Sequence, residues 1–154
     1  MSKKPEKAEE LFNRALELAR SEPPDFAGAE QLLLQAQNIG LPKADYALGS
    51  WYFFGRHYDK NVDRGIALMT KAADAGVVDA ALELAIAYER GEEVVQNYEA
   101  ALLSYFQAAL LNNAQACFEI HRFFYHGFVG VKSELLSEFW RKRAEALGYE
   151  DNES

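Results

Sequence analysis

The residues able to do chemistry are few and scattered. Beside the carboxylates, the chain offers three histidines, His57, His121 and His126, and one cysteine, Cys117. His121 and His126 lie five positions apart, about 140° around a helix axis, so they cannot chelate one metal from one face. His57 falls in another stretch, and all three read as solvated or hydrogen-bonded side chains. Cys117 has no basic neighbour pattern of the kind that makes a thiolate, and reads as a small buried apolar residue. Glu92 and Glu93 are adjacent in a polar stretch and read as solvated charge. The segment "GFVGV" at 127–131 lacks the Lys-Ser/Thr that completes a phosphate cradle, and there is no HExxH or dinucleotide fingerprint. No catalytic residue, metal site or cofactor is expected, and the chain does not read as an enzyme.

Composition narrows the remaining classes. The chain has 154 residues, 24 acidic and 16 basic, for a net charge of −8. That field repels nucleic-acid phosphates and anionic lipid and attracts basic partners. A single cysteine forbids an internal disulfide and fits a reducing compartment. The start, "MSKKPEKAEELF", has no apolar stretch behind its basic residues, and no run approaches the ~18–20 apolar residues of a membrane span. A cytoplasmic protein with neither nucleic-acid nor membrane partners is expected.

The elements that must position any site emerge when the chain is written against itself at an offset of 36. One column holds Ala8, Ala44, Ala80 and Ala116; another holds Leu16, Tyr52, Tyr88 and Phe124; a third holds Ala36, Ala72, Ala108 and Ala144. Within a unit, Ala44, Leu48, Tyr52 and Gly55 follow at helical spacing and predict a first helix, A, ended by the glycine. The column Asp25, Asn61, Asn97 and Ser133 supplies preferred N-caps, so a second helix, B, is predicted to start at Phe26, Val62, Tyr98 and Glu134. It runs to Gly40, Gly76, Asn112 and Gly148, residues that tolerate the left-handed turn into the next unit. The alanine columns predict the same close helix crossing, made once per unit. No apolar–polar alternation suggests a sheet.

These columns resemble Sel1-like repeats, relatives of the tetratricopeptide repeat, with a pattern near A-x-x-x-L-G-x-x-Y-x-x-G followed by a loop and K-A-x-x-W-x-x-K-A-A-x-x-G. One unit reads "ADYALGSWYFFG" and later "KAADAG"; the next reads "AALELAIAYERG"; the last reads "ACFEIHRFFYHG" with Trp140 at the aromatic position of helix B. The resemblance covers residues 7–148, in units at about 7–42, 43–78, 79–114 and 115–148. Residues 1–6 are expected to be a flexible N-terminus and 149–154 a flexible acidic tail. The implied fold is all-α, a right-handed α-solenoid of four 36-residue helix-turn-helix repeats, with the A helices lining a concave groove. Secreted members carry a cysteine pair in each repeat, some described as penicillin-binding or β-lactamase-like. This chain lacks such pairs, which argues against that hydrolase activity.

Function then rests on surface. On helix A, the columns through Ser50, Phe53 and Phe54 change residue type between units, and by the resemblance such columns face the groove. The expected partner-binding groove combines Tyr46, Ser50, Phe53, Phe54, Leu82, Ile86, Glu89, Arg90, Phe118, Arg122, Tyr125 and His126. Rings with Arg among them match the composition of protein–protein hot spots. In "SWYFFG", Trp51 and Tyr52 read as core, Phe53 and Phe54 as groove. The expected function is a non-catalytic protein-interaction module; the alternative is an immunity protein that occludes a bacterial toxin. A monomer or weak dimer is expected.

Overall fold

The computed structural model describes residues 3–152, all of whose regular structure is helical. Contacts divide the chain into two units, which meet in sequence at Val77 and Val78. The first holds α1 (Lys4–Arg20), α2 (Phe26–Ile39), α3 (Pro42–Phe54) and α4 (Val62–Asp74). The second holds α5 (Val78–Arg90), α6 (Tyr98–Leu110), α7 (Ala114–His126) and α8 (Glu134–Ala146). In each unit the helices pair as hairpins, α1 with α2 and α3 with α4, then α5 with α6 and α7 with α8. The hairpins of a unit join through α2 on α3 and through α6 on α7.

Local chemistry sets these boundaries. The four B helices begin at the residues that the cap column predicts, and each cap side chain accepts a backbone N–H. Asp25 accepts from Gly28 at 2.8 Å, Asn61 from Arg64 at 3.1 Å, Asn97 from Ala100 at 3.0 Å and Ser133 from Leu136 at 3.2 Å. Asn113 caps α7 in the same way, accepting from Ala116 at 2.8 Å. After helix α6 Asn112 takes a positive φ of 63°, as Gly40, Gly76 and Gly148 take positive φ after the other B helices. Asn97→Ala is expected to cost about 1 kcal/mol, read as a lower denaturation midpoint with unchanged m-value.

The eight alanines of the two alanine columns are all buried. Each leaves a buried helix face without side-chain bulk beyond Cβ. The α3–α4 crossing goes further and uses glycine. A Cβ placed on Gly65 would lie 2.7 Å from the Phe53 backbone nitrogen and 2.8 Å from the Gly49 carbonyl oxygen. At the equivalent crossing of α7 with α8 the two positions are His121 and Ser137. Their contact is polar, with Ser137 Oγ 2.9 Å from His121 Nδ1.

The ends differ in character. Of the residues expected to be flexible, Met1, Ser2, Glu153 and Ser154 lie outside the described residues. Lys4, Pro5 and Glu6 sit in the first turn of α1. Tyr149 donates its backbone N–H to the Ala144 carbonyl at 2.9 Å, and its ring stacks on Phe118 at 4.3 Å between centroids.

Candidate functional site

The second unit gathers the charged members of the expected groove. Glu89, near the end of α5, accepts the Tyr105 hydroxyl of α6 at 2.7 Å and the Arg122 guanidinium of α7 at 3.1 Å. Arg122 also pairs with Glu119 one turn before it. Burial works against the Arg122 charge, and its hydrogen bonds and ion pairs with Glu119 and Glu89 outweigh that, holding it firmly protonated. Burial first, then the bond to Glu89, raises the Tyr105 hydroxyl well above the ordinary tyrosine range. The network ties three helices together and leaves Arg122 half-buried beneath the surface.

Around it, Phe118, Arg122, Tyr125 and His126 of α7 line one cleft of about 560 Å³. Glu119, His121 and the segment from Tyr149 to Asn152 complete its walls. Tyr125 is 57% exposed, its ring 5.0 Å from that of His126, which in turn stacks on Phe128. Leu82 and Ile86 of α5 are half-buried, and Arg90 is exposed and pairs loosely with Glu92 at 3.7 Å. In the first unit, Tyr46 and Ser50 are half-buried and Phe54 is 48% exposed.

Phe53 departs from expectation. It is only 3% exposed and belongs to the core, so it cannot present its ring to a partner. The cause is Gly65, whose missing side chain draws this end of α3 against α4 and encloses Phe53. Phe54, one position on, keeps the outward direction and meets Phe53 edge-on at 4.9 Å. Trp51 is buried, as its column predicts, whereas Tyr52, expected in the core, is only half-buried, stacked on Tyr58 with Arg64 over its ring. Six cleft residues lie outside the expected groove: Glu119, His121 and the four from Tyr149 to Asn152. Glu119 carried a signal, the i,i+3 spacing to Arg122. His121 reads from sequence as a solvated or hydrogen-bonded side chain, and Tyr149 to Asn152 fall in a segment expected to be flexible.

The remaining reactive groups are structurally committed. Ser137 Oγ is enclosed at the α7–α8 crossing, where Ser137 is 4% exposed, so its contact with His121 clips helices together. Cys117 is fully buried, and that burial pushes its thiol up despite the opposing charge of Arg143. His57 bonds Glu30 at 2.8 Å and packs among Phe26, Trp51 and Tyr58.

Four helix hairpins at a 36-residue period, with caps and crossings in register, define an α-solenoid repeat protein. The Sel1 repeat model matches residues 1–19, 42–77 and 78–113, more than half of the sequence, and the chain belongs to the Sel1 repeat family. A Sel1 repeat protein from Oxalobacter formigenes superposes with a TM-score of 0.77 and 26% identity, over 93% of this chain and 42% of that one. The immunity protein Pa5087 from Pseudomonas aeruginosa superposes with a TM-score of 0.60 and 20% identity, over 91% of this chain and 68% of that one. Protein SHC1 of Saccharomyces cerevisiae is 28% identical over 123 residues, 77% of this chain. The chain spans about a quarter of that yeast protein's length, 24%. Sel1-repeat folds typically serve protein–protein interaction. Among the described residues, no helix is long and apolar enough to cross a membrane.

Proposed function

We propose that the chain is a non-catalytic protein-interaction module that recognises its partner through the outward residues of its A helices. The observation that carries this reading is that each unit holds a large ring out in solvent at the end of an A helix, Phe54 of α3 at 48% exposure in the first and Tyr125 of α7 at 57% in the second. Burying such a ring on a preformed helix gives affinity at low entropic cost, and His126, beside Tyr125, supplies polar selectivity. The net charge of −8 favours a basic partner. A single buried thiol suits a reducing compartment, and the proposed location is the cytoplasm.

A narrower form of the reading is toxin neutralisation. Its support is the fold likeness to the Pseudomonas immunity protein together with the acidic charge. Occluding a toxin requires a rigid complementary surface and no catalytic group.

Phe54→Ala combined with Tyr125→Ala tests the interaction reading. The expected result is loss of the partners that wild-type protein captures, with the melting temperature held within a few degrees. Unchanged capture by a stably folded double variant would remove these rings from the recognition surface.

A further inference from the structure

The first unit contains a second, smaller cleft, of about 370 Å³, framed by α1, α2 and α3 and outside the expected groove. Its floor is apolar: Ala15 and Ala19 leave the space, and Phe26 and Trp51 close it with rings 5.6 Å apart, edge to face. Two arginines, Arg20 and Arg56, also line it. They are 36 residues apart, the same position in consecutive repeats, with Arg20 closing α1 and Arg56 just past the end of α3. The third and fourth repeats hold Glu92 and Phe128 there, so the paired cations belong to this unit alone.

Both guanidiniums are exposed, and among the described residues neither has a hydrogen-bond or ion-pair partner. This occurs in a chain with 24 acidic residues. The nearby Glu30 is instead committed to His57. Arg122 and Arg141, by contrast, are matched, the first to Glu89 and Glu119 and the second to Glu138 and Glu145. An apolar recess bordered by two unmatched planar cations is complementary to one kind of ligand. A ring or branched aliphatic group fills the recess, while an anionic fork outside it meets the guanidiniums. The volume is at the small end of ligand sites and suits a group of Phe or Leu size.

We propose that this cleft binds an apolar carboxylate, its hydrocarbon part lying against Trp51 and Phe26 and its carboxylate held by Arg20 and Arg56. A free aryl or alkyl acid and the C-terminal residue of a peptide both carry that chemistry. The proposal stands apart from the interaction reading, since no residue expected in the groove takes part.

The test uses three probes with the whole chain, followed by NMR at the Trp51 indole N–H: 3-phenylpropionate, its amide, and N-acetylphenylalanine. The two acids are expected to shift the Trp51 resonance with saturation, and the amide to bind about tenfold more weakly or not at all. Tighter binding of N-acetylphenylalanine than of 3-phenylpropionate assigns the site to a peptide chain end, and the reverse order assigns it to a free acid. Arg20→Gln and Arg56→Gln are each expected to weaken acid binding severalfold, and together to abolish the preference for acid over amide. Acid and amide binding alike, or no saturable shift from any probe, overturns the proposal. So does an arginine pair whose removal lowers the melting temperature but leaves the preference intact, because the guanidiniums then only complement helix C-termini.

Discussion

Gly65→Ala is expected to lower stability by about 2 kcal/mol, a drop of several degrees in melting temperature. Propensity alone predicts the opposite, since alanine is better than glycine inside a helix by about 1 kcal/mol. Geometry decides the sign. The new methyl would stand 2.7 Å from the Phe53 nitrogen and 2.8 Å from both the Gly49 oxygen and the Phe53 Cβ. Two of these three neighbours are backbone atoms of α3, which cannot rotate away, so the helices must separate. Separation loosens the packing of Phe53 and of Met69, which is fully buried. Thr70→Ala, exposed on the same helix, is the control and is expected to stay within about 0.5 kcal/mol of wild type. A Gly65→Ala variant as stable as wild type would show that the crossing has slack that these distances deny.

The second large effect is expected at Glu89. Glu89→Ala strips the hydroxyl of Tyr105, itself 2% exposed, of its acceptor and leaves Arg122 with Glu119 alone. The expected loss is about 2–4 kcal/mol, because a buried donor and a half-buried charge both lose a partner. Glu89→Gln keeps an acceptor for Tyr105 and is expected to lose clearly less. Chemical denaturation of both variants checks the order; equal losses would mean that only the charge on Arg122 matters. The pH dependence has a definite sign. Tyr105 is a phenol whose folded value is raised, so its stabilising contribution is complete below the ordinary tyrosine value of about 10. It is lost as pH climbs past that value, when the unfolded chain ionises and the folded chain resists. Tyr105→Phe is therefore expected to flatten the alkaline limb of the stability profile.

These two sites also show which features are legible in residue columns. Positions that do the same job in every repeat are readable: the alanines at crossings, the caps Asp25, Asn61, Asn97 and Ser133, and the turn residues through Asn112. Each answers to a local constraint or to one repeated contact, so residue type is kept. Positions solved by exchange between helices are not readable one column at a time. Phe53, Glu89 and Tyr125 occupy one column. Phe53 is core because Gly65 makes room, Glu89 is half-buried because Tyr105 and Arg122 satisfy it, and Tyr125 is at the surface. Variation in type thus signals solvent at Tyr125 and compensation at the other two. The crossing pairs Gly49 with Gly65 and His121 with Ser137 obey the same logic, since each side makes sense only beside its partner. The position of Tyr149 was hidden for another reason: a stacking contact on Phe118 leaves no periodic trace.

The shared register also makes repeat number a variable that is easy to alter. Each hairpin carries its own start signal at the cap of helix B and its own stop at the turn, both at fixed distances from the crossing alanines. A duplication or deletion of 36 residues, cut at any point in the period, rejoins a matching cap to a matching turn. The new joint then inherits working local chemistry without a single compensating substitution. Unequal recombination within such a gene would change the length of the array in whole units. Where the cut falls between hairpins, specialised pairings such as Phe53 with Gly65 travel intact, and recognition surfaces are lengthened or shuffled faster than by point mutation.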